Sequence, residues 1–595
     1  MTKTTPQRIL NSLSDAFPHD SDLKRLKAAC RLSAFALGLL QLCGNLQRNL
    51  LSGDATSYLD IADAYGRGDF SAAVNAFWSP LYSWLLELFL LVFEPSPRSE
   101  LTIVGLANLF IYLSALAAFD FFLREWIRFQ NERAEATGEP TPEGDSTRAT
   151  LPAWTWYVFG YSLFIWSSLE LNFVARITPD MLVSALVYAA SALLVRMRRR
   201  QTNWSLYLLF GLLLGLGYLA KTAMFPLGFV FLTSALVAGR GGFRRAAPRV
   251  AVAIVAFLCV AAPFIYALSE SKGRFTFGES GRLNYCWHVN RVGQFINWQG
   301  DSDVRLAHPT RKIFDEPAVY EFGAPVEASY PPWYDPSYWN EGLAPRFDLR
   351  RQTDAIIENV GYFLKQYSYK SFPNGIAVVM LFLLYLSRSR LAVLKGLVAH
   401  LFVLLPALAA FVMYLLIHVE GRYVAAFAVL LCVSLLASVP LEASARRGAS
   451  LPLAAFFMLT ALVLSIGASF FHSLSNTLRR TPNEQVQVAE GLRALGLLEG
   501  ERVGSIGDAI YSSWPRLARL RVVAEIPYVV KGVQDEPTGE VEKFWSADDA
   551  TKARVVEAFK ETGARAIVAR RIPLGASTTG WHRIGETKHY VYFIR

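Results

Sequence analysis

The sequence predicts a mostly helical, multi-pass membrane protein that ends in a small soluble α/β domain. Hydrophobic residues make up 53% of the 595 residues, and apolar runs near the spanning length recur as far as residue 473. Basic residues concentrate in short loops between these runs, as at 196–200 and 240–245, which is typical of cytoplasmic membrane loops. From about residue 474, short apolar strands alternate with charged helical segments. These three observations define the predicted fold class.

The apolar segments that we assign to the membrane follow one another with mostly short polar connections. They are 31–51, 78–94, 101–123, 151–169, 178–195, 204–219, 222–239, 249–268, 374–388, 391–417, 423–440 and 451–473. Counting forward from the basic loops places the long polar loop and the tail outside. Counting membrane crossings from the basic loops back towards the N-terminus conflicts with an external Asp54. Either one early segment does not fully cross the membrane, with 78–94 as the first candidate, or the 31–51 boundary is wrong.

The predicted organisation has five parts. They are a cytoplasmic N-terminal segment 1–30, a membrane module 31–268 with an amphipathic external loop 52–77, an external loop 269–373, membrane helices 374–473 and an external α/β domain 474–595. The external loop is rich in aromatic residues and proline, and a structureless loop of that length would be unusual, so we expect it to be folded. Its aromatic faces suit either sugar recognition or an interfacial aromatic belt.

Charge and cysteine content exclude several other classes. The net charge of +10 follows membrane topology and does not indicate nucleic acid binding. Four of the five cysteines lie in or beside apolar segments, which argues against a disulfide framework, and no zinc-binding spacing occurs. Residues 1–30 lack the short apolar core of a secretory signal.

The tail predicts a largely parallel sheet. Strands are expected at 502–508, 521–526 and 565–570, with a helix at 547–563 and a last strand in the terminal HYVYFIR. Its Gly504-x-x-Gly507 falls short of the glycine pattern that binds dinucleotides. We therefore interpret the tail as a recognition or stabilising module.

The loop after the first apolar segment holds the first candidate for chemistry. Two short amphipathic helices are expected here, from Tyr58 and from Phe70, and both suit a membrane surface. Asp54 lies at the mouth of the loop and is either a catalytic base or a helix N-cap. Asp60, Asp63 and Asp69 are expected on solvated helix faces.

Three further polar motifs border apolar segments on the expected outer side: Arg176 to Asp180, Lys221, and Glu420 with Arg422. Charge near the hydrocarbon core is costly, so such residues are functional hypotheses by default. Each also has a structural explanation. Asp180 could stabilise a helix start, Lys221 could reach to the interface, and the Glu420 motif could begin a helix. The histidines His288, His308 and His418 show no ligand spacing and are expected at the surface or the interface.

Several of these segments resemble the GT-C superfamily of membrane glycosyltransferases. They are the Gly-Asp that opens the first loop, WSPLYSWLL after it, ARITPDMLVSAL, GLLLGLGYLAKTAMFPL and EGRYVAAFAVLL. The sequence is similar in particular to the family 39-like enzymes, which include protein mannosyltransferases and the lipid A aminoarabinose transferase. The resemblance covers 31–240 and, less fully, 400–440. It departs from the family at Ala55, where a second acidic residue is expected after Asp54.

The resemblance implies a GT-C fold and an inverting transfer of sugar from a polyprenyl phosphate to an acceptor hydroxyl, at the outer face of the cytoplasmic membrane. It implies Asp54 as the base that takes the hydroxyl proton, and Lys221, Arg422 and Arg176 as candidates to bind the leaving phosphate. Asp180 and Glu420 would bind the sugar or a divalent cation. The acceptor could be a lipid, a glycan or a protein.

Two other functions fit a protein of this composition. One is a transporter or flippase of a lipid-linked sugar, which usually shows internal repeats and a central charged path. The other is a membrane scaffold whose tail binds a partner. No repeated half is visible and the polar motifs gather on one side, which favours the enzyme.

Overall fold

The computed structural model describes most of the chain. The described residues are 22–45, 52–96, 98–137, 151–199, 203–239, 242–293, 295–301, 304–368, 371–387, 390–441, 449–479, 483–528, 539–573 and 575–594. All statements below refer to these residues. The predicted N-terminal segment 1–30 lies mostly outside them.

The apolar segments fold as helices. In the membrane module they are Leu23–Asn45, Pro80–Phe93, Glu100–Thr137, Ala153–Trp166, Asp180–Arg199, Trp204–Ala220, Met224–Ala238 and Phe243–Lys272. The later membrane helices are Ser371–Tyr385, Arg390–Ala399, Leu401–Leu415, Gly421–Ser438 and Ser450–Arg479. Six described helices are long and apolar enough to cross a membrane, and the bent pair Arg390–Ala399 and Leu401–Leu415 could form a seventh span. The prediction of a mostly helical, multi-pass membrane protein is confirmed.

The suspect segment 78–94 forms the apolar helix Pro80–Phe93, whose 14 residues are fewer than a full span needs. Pro80 occupies the first helical turn, where its missing N–H costs nothing. Helix Glu100–Thr137 follows closely and has 38 residues. The topology conflict found in the sequence therefore falls on a helix that is short for a complete crossing.

The first loop departs from its prediction. Its main helix, Gly53–Gly66, begins five residues before Tyr58, and the second helix, Phe70–Ala73, is a single turn. We refer to Gly53–Gly66 as the first-loop helix. The expectation that its aspartates are solvated is wrong for Asp60, which is buried and accepts hydrogen bonds from the Ser329 backbone N–H and hydroxyl.

The external loop and the tail are folded and share one sheet. The helices are Ser280–Asn284, Pro331–Tyr334, Pro336–Trp339, Leu349–Ser368, Glu484–Ala494, Trp514–Ala518, Glu540–Ser546 and Asp549–Glu561, with a π-helical turn at Tyr285–Val289 and a 3₁₀ turn at Ala509–Tyr511. Another π-helical turn, Ser167–Asn172, lies in the membrane module. The strands are β1 Gly300–Asp301, β2 Val304–Arg305, β3 Arg311–Phe314, β4 Val319–Glu321, β5 Arg502–Ile506, β6 Arg521–Ile526, β7 Ala566–Ala569, β8 Trp581–Arg583 and β9 Tyr590–Phe593.

The seven-stranded sheet has the order β3-β4-β6-β5-β7-β9-β8. Only the central strands β6, β5 and β7 run parallel, and the outer pairings are antiparallel. The predicted tail strands are found, but the expectation of a largely parallel sheet is wrong. The reason is that the sheet contains two pairs of strands that are neighbours in the sequence, β3 with β4 in the external loop and β8 with β9 in the tail. A short connection joins the strands of each pair, so they run antiparallel.

Close helix packing depends on a glycine in the membrane module. A Cβ on Gly211 would lie 2.1 Å from the carbonyl oxygen of Ala253, on helix Phe243–Lys272. The two helix backbones approach closely because position 211 carries no side chain, as is common between membrane helices.

We expect Gly211→Ala to destabilise the protein by about 1–3 kcal/mol, because the added methyl must push two backbones apart. The matched control is Gly467→Ala, since a Cβ there meets no heavy atom within 4 Å. Thermal unfolding in detergent measures both. Equal melting temperatures for the two variants would contradict the packing described here.

A buried carboxyl joins the loop to the tail. Glu525 on β6 accepts a hydrogen bond from the Tyr330 hydroxyl at 2.9 Å and another from the Ala509 backbone N–H. Burial, and less strongly the Asp508 carboxylate, raise the pKa of Glu525 to about 8 from its ordinary 4.5. The folded protein therefore keeps this proton in a pH range where the unfolded chain releases it.

The free energy of unfolding is accordingly expected to fall as the pH rises from about 4.5 to about 8. Glu525→Gln removes this component, so its stability should fall less over the same range. Glu557→Gln, at an exposed pair with Lys560, is the control and should follow the wild type. Thermal unfolding across this pH range measures the fall in stability. An equal fall for the wild type and Glu525→Gln would contradict the assignment.

Candidate active site

A cavity of about 700 Å³ lies where the membrane helices meet the external loop. We call it the main cavity. Its wall combines the start of the first-loop helix, the starts of helices Asp180–Arg199 and Gly421–Ser438, and the segment that follows Phe243–Lys272. Asp54, Asp180, Lys221, Glu420 and Arg422 all line it. The structure therefore brings together five of the six site residues predicted from the sequence.

Arg422 is the centre of this group. Its Nη2 lies 3.2 Å from Asp54 Oδ2, its Nη1 lies 3.6 Å from Asp180 Oδ2, and its Nε lies 2.5 Å from Glu420 Oε2. Only 12% of the Arg422 side chain is exposed. One planar guanidinium thus holds three carboxylates that come from three separate parts of the chain, a task for which arginine's fixed fork of donors is suited.

Lys221 adds a second cation to the group. Its Nζ lies 2.6 Å from Asp180 Oδ1 and 3.6 Å from the ring centroid of Tyr423, in cation–π geometry. Lys221 stands in the short break between helices Trp204–Ala220 and Met224–Ala238, where its amine turns inward. The alternative that Lys221 merely reaches out to the membrane interface is wrong.

Asp54 is held on both sides. Trp333 Nε1 donates a hydrogen bond to Asp54 Oδ1 at 3.1 Å, while Oδ2 faces Arg422. The N-cap of the first-loop helix is Ser52, whose hydroxyl accepts from the Ala55 N–H, so the alternative that Asp54 is the N-cap is wrong. Gly53 permits the approach of Trp333, because a Cβ there would lie 2.8 Å from Trp333 Cδ1. The Asp54 carboxylate is consequently fixed and faces the cavity.

A second polar group lines another part of the main cavity. Glu279 is buried and lies 2.8 Å from Arg274 Nη2 and 2.5 Å from Arg282 Nε. Burial would raise the pKa of Glu279, but hydrogen bonds from Arg274 and Thr276 hold it below its ordinary value. Two guanidiniums thus share one carboxylate, which leaves an excess of one positive charge here.

Two histidines that were expected at the surface line the cavity instead. The rings of His288 and His418 stack at a centroid distance of 3.9 Å with an interplanar angle of 8°. Burial and the neighbouring His418 lower the pKa of His288 to about 4, so its imidazole is neutral at pH 7. The third histidine, His308, stacks on Tyr338 and lies outside this cavity.

Sequence reasoning missed Trp333, Tyr423, Arg274 and Arg282. Tyr423 adjoins a residue that was chosen, and Arg274 lies two residues after a membrane helix, so these two positions carried a weak signal. Arg176, in contrast, is exposed and does not line the main cavity. The structure does not bring it to the other predicted residues.

A metal ion was considered for the carboxylates of this site. Among the described residues, no group of three His, Cys, Asp or Glu side chains is placed to hold one. Asp54, Asp180 and Glu420 face Arg422 and Lys221 instead. The divalent cation therefore stays a prediction.

The fold and the site define a polytopic membrane protein whose charged cavity is lined by membrane helices and by a folded loop. No known family model and no curated protein matches the sequence. Solved structures do match. ArnT from Cupriavidus metallidurans, in the apo state, is similar with a TM-score of 0.50 and 13% identity, over 96% of this chain and 97% of ArnT.

Two further matches are weaker. ArnT bound to undecaprenyl phosphate gives a TM-score of 0.49 at 13% identity, over 96% of this chain and 98% of that one. The oligosaccharyltransferase of Archaeoglobus fulgidus, in complex with zinc and sulfate, gives 0.44 at 12% identity, over 90% of this chain and 67% of that one. The likeness to apo ArnT confirms the predicted GT-C fold.

Proposed function

We propose that the protein is an inverting glycosyltransferase that transfers a sugar from a polyprenyl phosphate to an acceptor hydroxyl. The observation that supports this most directly is the convergence of Asp54, Arg422 and Lys221 on one cavity within a GT-C fold. A fixed carboxylate, two cations and an apolar wall are what this reaction needs. The sugar and the acceptor, whether lipid, glycan or protein, are not specified by these groups.

Asp54 is assigned the role of general base. As the acceptor hydroxyl attacks the anomeric carbon, its proton passes to an Asp54 oxygen, and a positioned base contributes about 10²–10⁴-fold to such a step. Trp333 and Arg422 hold the carboxylate in place before substrate arrives. Preorganisation of this kind avoids rearrangement during the reaction.

The bond from the anomeric carbon to the phosphate oxygen breaks on the opposite side, and the phosphate leaves with additional negative charge. Lys221 and Arg422 can stabilise it, although Asp54, Asp180 and Glu420 already offset their charge. Among the described residues, Arg274 and Arg282 share one carboxylate, Glu279, and so offer net positive charge in the same cavity. We therefore add both arginines to the phosphate-binding candidates, because preorganised cations act most strongly where water is excluded.

A location at the outer face of the cytoplasmic membrane is part of the proposal. Helix Asp180–Arg199 has 20 residues, with Asp180 at the cavity end and Arg196, Arg198 and Arg199 in its last turn. Such a helix is about 30 Å long, the thickness of the hydrocarbon core. Because basic loops favour the cytoplasm, the cavity and the tail would face the outside.

The flippase and the scaffold are the competing functions. The charges that surround Arg422 belong to one end of the helices that carry them, and they are paired with one another. A transporter would be expected to place its site near the middle of the membrane. This arrangement favours the enzyme over the flippase. It also favours the enzyme over a scaffold, because binding a partner through the tail does not require a charged cavity.

Asp54→Asn tests the proposal. Full-length protein in lipid nanodiscs is given a panel of synthetic undecaprenyl-phosphate hexoses and pentoses, with cell-envelope glycans as acceptors, and released undecaprenyl phosphate is measured. We expect turnover to fall about 10²–10⁴-fold. Affinity for undecaprenyl phosphate alone should be unchanged or tighter, because one negative charge is removed. Equal turnover of wild type and Asp54→Asn would refute the proposed mechanism.

Lys221→Met and Arg274→Met test the phosphate contacts. Each removes one charge-assisted interaction, so undecaprenyl phosphate should bind roughly 10- to 100-fold more weakly. Lys312→Met is the control, since Lys312 pairs with the exposed Asp315 away from the cavity.

Arg176→Met should bind undecaprenyl phosphate like the wild type, because Arg176 does not line the main cavity. If it instead weakens binding as Lys221→Met does, Arg176 reaches the phosphate and the site is larger than described.

A further inference from the structure

A buried arginine of the tail lies against carboxylates from the membrane module. The Arg516 side chain is 2% exposed, and its guanidinium lies 3.0 Å from Asp60, 2.5 Å from Asp63 and 2.8 Å from Glu100. Arg519 also contacts Asp63, at 2.5 Å, and Glu100. We call these five residues the Arg516 cluster. Its contacts are charge-assisted and partly bidentate, which makes them strong and geometrically specific.

The cluster joins four parts of the chain. Asp60 and Asp63 belong to the first-loop helix, Glu100 begins helix Glu100–Thr137, and both arginines belong to the tail. The fourth part is the external loop, because Ser329 donates its backbone N–H and its hydroxyl to Asp60 at 2.8 and 3.0 Å. Asp60 thus contacts both Arg516 of the tail and Ser329 of the external loop, which joins these two parts to the first-loop helix.

These contacts bear on Asp54 by two routes. Asp54, Asp60 and Asp63 lie on the same 14-residue helix, which moves as one body. The external loop provides the second route, since Ser329 is four residues before Trp333, whose indole N–H holds Asp54. A displacement of the Arg516 cluster therefore moves both the carboxylate and its hydrogen-bond donor.

We propose that Arg516 is a positioning residue for the transfer reaction, through which the tail holds the helix that carries Asp54. Arg516 does not line the main cavity and touches no substrate. Its effect is on the placement of the base, and a misplacement of about 1 Å can cost about 10²-fold in rate. The inference rests on the proposed function and assigns the tail a role in it.

Arg516→Lys in the full-length protein is the test. Lysine keeps the charge but cannot contact three carboxylates in a fixed plane. We expect kcat to fall about 10- to 100-fold, with affinity for undecaprenyl phosphate unchanged and the first-loop helix exchanging its amide hydrogens faster. Arg565→Lys is the matched control, because Arg565 forms an exposed tail ion pair with Glu501. Its kcat and exchange should equal those of the wild type.

A double-mutant cycle separates positioning from simple stabilisation. In an Asp54→Asn background, Arg516→Lys should cause no further loss of kcat per folded protein, because the base it positions is already gone. Losses that multiply, or a kcat for Arg516→Lys equal to the wild type, overturn the inference.

The proposed function can fail separately. If wild type and Asp54→Asn turn over the donors at the same rate, the proposed mechanism is wrong. Hydrogen exchange then tests by itself whether the Arg516 cluster positions the first-loop helix. Faster exchange in the first-loop helix and around Trp333 in Arg516→Lys, but not in Arg565→Lys, then supports positioning by the tail. Unchanged exchange overturns it.

Discussion

The contact of Arg422 with three carboxylates is the interaction on which the arrangement of the site depends. Asp54, Asp180 and Glu420 are far apart in the sequence, and they meet around the largely buried guanidinium of Arg422, which faces all three. Removing water from so many charges is expensive, and the group is tolerable only because each charge faces an opposite one. Lys221 completes the pairing at Asp180. The same compensation leaves the cavity with anchored side chains, whose positions are set before any substrate binds.

The cavity distributes its charge unevenly, and this has a chemical meaning for the proposed reaction. Around Arg422, three carboxylates exceed two cations, whereas around Glu279 two guanidiniums exceed one carboxylate. A proton acceptor is favoured where negative charge is in excess, and an anionic leaving group is favoured where positive charge is. The wall of the same cavity includes the aromatic side chains of Trp78, Trp287 and Tyr414. In an inverting transfer, the acceptor hydroxyl attacks on one side of the sugar and the phosphate leaves on the other. A negative group on one side and a positive group on the other would match this reaction.

Much of the fold could be predicted from the sequence, because the spacing of apolar residues and the placement of arginines report directly on membrane helices. The convergence of Asp54, Lys221 and Arg422 was also predicted, since each interrupts an apolar segment at the same expected level. Other features could not be seen. Trp333 reaches Asp54 across 279 residues, and Arg516 reaches Asp60 across 456, so no local pattern signals either contact. For the same reason Asp60 looked like a solvated helix residue, and the two strands that the external loop adds to the sheet were not anticipated.

The sheet built from two distant regions sets an order for biosynthesis. Strand β4 pairs with β6, which is made about two hundred residues later, after the last membrane helices. Until that part of the chain has been made, β4 lacks its neighbour on one edge, and the seven-stranded sheet is incomplete. The sheet is therefore completed only when translation is nearly finished, after every residue that lines the main cavity has been made. A chain that stops before β6 would leave this edge of β4 unpaired, and an unpaired strand edge can pair with another chain.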